Sequence, residues 1–120
     1  MSTQTTRQLS VNITTTNTWT QLKDLATAAA YAAPAGGRAD LKWLKAINFD
    51  ADIVTVEFAI STTSTVTDDE RIIPPIPLTT DESLFDDSGS VLPATFGLWA
   101  RAVGTTPNAT FLGFVLEIAP

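Results

Sequence analysis

The stretch DIVTVEFAIS, Asp52 to Ser61, limits what this chain can become. Val54, Val56, Phe58 and Ile60 fall on one side, and Thr55, Glu57 and Ser61 on the other. A period of two is the mark of a half-buried β-strand and does not fit the 3.6-residue period of a helix. The same alternation recurs elsewhere. In Arg7 to Thr16, Leu9, Val11 and Ile13 oppose Ser10, Asn12 and Thr14. In Thr95 to Val103, Phe96, Leu98 and Ala100 oppose Gly97, Trp99 and Arg101. In the last segment, Ala109 to Ile118, Phe111, Gly113, Val115 and Glu117 lie opposite Thr110, Leu112, Phe114, Leu116 and Ile118, the more apolar side.

Turn signals separate these runs. Ala35-Gly36-Gly37, Asn48 to Asp52 and GTTPN at Gly104 to Asn108 each read as a change of direction. Between the first two, Arg38 to Phe49 permits two readings. As a helix, Leu41, Leu44 and Ile47 line one face; as a strand, Leu41, Trp43, Ile47 and Phe49 share a face with Lys45. The bracketing turns favour a strand. Ile72 to Leu78 carries Pro74, Pro75 and Pro77, so it is an edge strand or an extended strap, because proline cannot donate to a ladder. Thr79 to Ser90 reads as a polar loop anchored by Leu84 and Phe85, and Val91 to Pro93 as a short strand. Thr18 to Ala30 allows one short helix, with Thr18 and Gln21 as a capping box, or an irregular crossover. The tally predicts an all-β chain. It would be a single antiparallel β-sandwich, jelly-roll-like or Ig-like, with about seven to eight strands. Residues 1–6 are expected to be a flexible N-terminal arm and residues 7–120 the sandwich domain.

At 120 residues the chain suffices for one core. Its 44% hydrophobic and 17% charged content is that of a folded protein. A net charge of −6 disfavours nucleic acid and anionic membrane as partners, since both require a basic surface. The N-terminal residues lack an apolar signal region and read as a cytosolic start. No histidine is present to act as a general base or metal ligand, and no cysteine to form a disulfide or thiolate site. We therefore expect no catalytic residue, no cofactor and no metal. The acidic groups Asp81, Glu82, Asp86 and Asp87 offer hard oxygen ligands, but their spacing is not that of an EF-hand, and a solvated loop is the simpler reading.

The candidate sites are adhesive. Trp19, near the N-terminus, is a candidate intersubunit anchor, because aromatics dominate interface hot spots. Trp43 and Trp99 read either as core residues or as exposed aromatics for a subunit or a sugar. Leu9, Val11 and Ile13 lie on a clean strand that either adds to a neighbouring chain or pairs within its own sheet. Ile72, Ile73, Pro74 and Pro75 form the edge strap.

The order of features also resembles a known group. YAAPAGGRADLKWLKAIN is followed by DIVTVEFAIS, then TDDERIIPPIPL, then FGLWARAV and FLGFVLEI. Over about Ala29 to Ile118 this resembles the small virion β-sandwich proteins of tailed bacteriophages, which occur as capsid decorations, head fibres and tail accessories. The resemblance implies a non-enzymatic structural component of the virion, made in the bacterial host cytoplasm. A capsid decoration or stabilising role is favoured over a tail, baseplate or fibre accessory with carbohydrate or receptor binding. The implied partners are a major capsid or tail protein and copies of the chain itself, with closed cyclic symmetry such as a trimer. The three-proline stretch and the crossover around Trp19 depart from a minimal sandwich of this kind.

Overall fold

The computed structural model describes residues 2–120. Among these residues ten strands follow one another: β1 Thr3–Ile13, β2 Thr20–Gln21, β3 Lys23–Asp24, β4 Arg38–Asn48, β5 Val54–Ser61, β6 Arg71–Leu78, β7 Ser83–Asp86, β8 Ser90–Pro93, β9 Gly97–Val103 and β10 Ala109–Ala119. They form two antiparallel sheets packed as a sandwich. The larger has the order β3-β1-β10-β4-β7, with β8 pairing beside β7 on the same edge of β4. The smaller has the order β2-β9-β5-β6. With the two-residue β3 and the short β8 set aside, the remaining eight strands follow the jelly-roll order rather than the Ig-like one.

The core lies between the sheets. Leu9, Ile13, Leu41, Leu44, Phe111 and Val115 enter from the larger sheet, and Val54, Val56, Phe58, Leu98 and Ala102 from the smaller. Phe58 and Phe111 meet edge to face across the gap, with ring centroids 5.4 Å apart. Gly113 faces the same gap. A Cβ there would stand 2.9 Å from a δ-carbon of Leu98, so the missing side chain admits a leucine from the opposite sheet.

Several expectations need correction. Residues 1–6 are not an arm as far as they are described, because Thr3–Thr6 are the first rungs of β1, paired with Leu116–Ala119 of β10. Their alternating threonines suit a pleated ladder, and β10 is long enough to extend it. Thr18–Ala30 forms no helix. It makes β2 on one sheet and β3 on the other, with a turn held by Asp24, whose Oδ1 accepts from the Ala26 amide at 2.9 Å. Buried Leu22 sits between the two strands, and tertiary pairing overrides the alanine-rich propensity. Among the described residues the only helical turn is a 3-10 turn at Asp68–Glu70, closed by a capping box from Thr67.

Arg38–Asn48 is a strand, as the turns implied, but its two faces are not the expected ones. The β4–β10 register shifts where Trp43 pairs with Phe114 and Leu41 with Val115, leaving Lys42 as an extra residue. Such a bulge reverses the alternation along a strand. Ala39 and Leu41 point inward before it, and Leu44, Ala46 and Asn48 after it. Trp43, Lys45 and Ile47 therefore lie on the outer face. Buried Asn48 fastens the following turn. Its amide Nδ2 donates to the carbonyls of Asp52 at 2.8 Å and Leu78 at 2.9 Å, and its Oδ1 accepts from the Asp50 amide at 2.8 Å.

Candidate interaction surface

The outer face of the larger sheet follows from the register. Across its middle, Gln8, Phe114 and Trp43 stand side by side on β1, β10 and β4. Toward one end come Ser10, Leu112, Lys45 and Phe85, then Asn12, Thr110, Ile47 and Ser83. Toward the other come Thr6, Leu116, Asp40 and Val91, then Gln4, Ile118, Arg38 and Pro93. The rings of Phe85, Trp43 and Phe114 form a continuous stack, with successive centroids 6.1 Å apart. Phe85 is 58% exposed and Val91 51%, while Leu112, Phe114, Leu116 and Ile118 are half-buried by one another. The side of β10 that is more apolar in sequence thus faces outward, and its inward side fills the core. Phe85 was expected, with Leu84, to anchor a loop. It instead pairs with Lys45 in β7 and projects outward, and only Leu84 packs toward the core.

The outer face of the smaller sheet is also rich in large side chains, but the chain covers it. Glu57, on the outward side of β5, is only 1% exposed. Its Oε2 accepts from Arg101 Nε, 2.6 Å away, and its Oε1 lies 3.3 Å from Arg71 Nη1. Arg101 stacks over the ring of Trp19 at 4.7 Å, with Arg71 at 6.0 Å, and Arg101 Nη1 donates to Asn17 Oδ1 at 3.2 Å. Trp19 is therefore a lid on its own sheet, held by cation–π contacts. Trp99 is 9% exposed, and its Nε1 donates to the Ser61 carbonyl at 2.9 Å, so it offers no platform to a partner.

The other sequence candidates fall into place around these faces. Leu9 and Ile13 are core residues and Val11 packs against the core, so β1 pairs within its own sheet along its whole length. In β6, Ile73 is buried and Ile72 half-buried, whereas Pro74 and Pro75 are exposed. The β5–β6 ladder shifts register twice, and together with the prolines this makes β6 a poor template for strand addition. The edge strap is thus a blocked edge.

The acidic residues do not converge. Glu82 Oε1 accepts from the Thr79 amide at 3.0 Å. Asp86 Oδ1 accepts from the Ser88 hydroxyl and amide, which lower its pKa. Among the described residues no three carboxylates gather as they would to hold a metal. A further polar group closes one end of the sandwich. Arg7 lies 3.4 Å from Asp24 and 3.7 Å from Glu117, and the Tyr31 hydroxyl donates to Glu117 at 2.8 Å. Burial, reinforced by that bond to a carboxylate, raises the Tyr31 phenol well above its ordinary value.

The sequence singled out Trp43 but missed its companions Phe85, Leu112, Phe114, Leu116 and Val91. The apolar bias of one side of β10 was legible, but its direction was not. No protein-family model matches the chain, and a search of curated proteins finds no significant match.

Proposed function

We propose that this chain is a non-catalytic structural subunit of a tailed-phage particle, most simply a capsid decoration or stabilising protein. It would act by docking apolar sheet surface against copies of itself and against a shell or tail protein. The observation that carries this reading is the uncovered Phe85–Trp43–Phe114 stack, continued by Leu112, Leu116 and Ile118. A contiguous exposed apolar patch of this kind marks an interaction surface. The sequence resemblance to small virion sandwiches supplies the particle. Jelly rolls build viral capsid domains and also lectins, so the fold is compatible with this role without selecting it.

The test is association with particles. Purified protein should co-sediment with virions grown without it, and Phe85→Glu should reduce binding at least tenfold while the domain stays folded. Absence of binding by the native chain would sink the proposal.

One observation favours a second reading, a sugar- or receptor-binding accessory of the tail or fibre. Trp43 is partly exposed, and its flat stack is a shape that sugar rings can lie against. Glycan-array binding by the native chain, lost in Trp43→Ala, would favour it over the structural role.

A further inference from the structure

We infer that the outer face of the larger sheet binds a second copy of itself about a two-fold axis. The axis would run across the strands at the level of Phe114 and Trp43. This rests on the reading above only in treating the face as an assembly surface.

The face is self-complementary about that line. Leu112 and Leu116 lie equally far from Phe114 on β10, on opposite sides. Lys45 pairs with Leu112 and Asp40 with Leu116, so these two charges are also equidistant from the central row. A two-fold axis through the row sets Lys45 of each copy against Asp40 of the other. It also sets Leu112 against Leu116, Phe85 against Val91, and the central aromatics against their own images. Isologous contacts require this exchange of positions.

The bulge at Lys42 makes the match possible. Asp40 and Lys45 are five positions apart and would point to opposite faces of a regular strand. The extra residue brings both to the outer face.

Charge and area agree with this occupant. The face carries Arg38, Asp40 and Lys45, a small positive balance on a chain of net charge −6, so two acidic molecules can approach here. Lys45 has no ion-pair partner among the described residues, whereas Asp40 has only the exposed Arg38, 3.1 Å away. Eleven residues of β10, at about 3.4 Å each, and four strands about 4.8 Å apart give a face of roughly 700 Å². A standard stable interface buries about 800 Å² per partner.

Sedimentation equilibrium of the purified chain should give the mass of two chains at micromolar concentration. Lys45→Asp sets carboxylate against carboxylate, Asp40→Lys sets amine against amine, and each should weaken the dimer at least tenfold. Mixing the two variants should restore a dimer through two Asp–Lys pairs. Circular dichroism verifies folding, and Phe85→Glu provides an independent disruption should a charge variant fail to fold. A monomer at about 100 μM, a three-chain mass, or folded variants that do not recover on mixing would each overturn the inference. A monomer that still binds particles through this face would leave the particle reading intact. A dimer that binds no particle would support the inference and count against that reading.

Discussion

The two outer faces of the sandwich meet the same problem in different ways. Both carry tryptophan and charged groups on strands that also line the core. The smaller sheet covers itself: Trp19 comes over from the crossover, two arginines reach inward, and Glu57 joins them beneath. On the larger sheet the aromatic stack stays open, with Phe85 at its exposed end. Covered apolar surface contributes to folding, whereas uncovered apolar surface is available to a partner. The comparison therefore separates residues that hold the fold from residues that hold an assembly.

The largest expected effect lies on the covered face. Glu57→Gln removes the buried carboxylate that two partly exposed arginines share, leaving Arg71 with Asp68 and Arg101 with Asn17. Stability should fall by about 2–3 kcal/mol, less than for a fully buried pair because both arginines keep some contact with water. Urea unfolding measures this, and a loss under 1 kcal/mol would mean that the cluster is solvated. Trp19→Ala should cost less, about 1–2 kcal/mol, by removing the cation–π lid. If Trp19 were an intersubunit anchor instead, the variant would lose association with unchanged unfolding.

Tyr31→Phe, between the sheets, is a control for both faces. It should cost about 1–2 kcal/mol through the lost hydrogen bond to Glu117. It also carries a pH signature. The native phenol keeps its proton above the ordinary value of 10.0, so the unfolded chain loses that proton first as pH rises. Stability of the native protein should therefore decline above about pH 10, where an unfolded tyrosine ionises. Tyr31→Phe should lack that component, and matching alkaline profiles would rule it out.

The smallest effect on folding belongs to the open face. Phe85→Ser should change stability by less than about 1 kcal/mol, as surface substitutions do, while weakening self-association at least tenfold. A large unfolding effect with intact association would erase the contrast between the faces.

The edges show why strand type was easier to read than strand direction. Pro74, Pro75 and Pro77 limited this segment to an edge strand or an extended strap, because a missing N–H is a local fact, and β6 is the edge strand. Alternation likewise revealed β1, β5, β9 and β10. Of the two readings open for Thr18–Ala30, a short helix or an irregular crossover, the helix failed because two short tertiary pairings, to β9 and β1, outweigh local alanine propensity. Trp99 and Trp43 share the same residue type and the same strand context, yet one is sealed and the other is open.

Residue order by itself determined that the chain alternates, where it turns, which strand cannot be extended, and that its charge is acidic. These depend on neighbours within a few positions. Only the tertiary structure decided which side of β4 and of β10 faces the core. A period of two defines two faces without ranking them, and one extra residue at Lys42 reverses their order. On β10, which runs in unbroken register with β1, the more apolar side lies outside, beside Trp43 and Phe85.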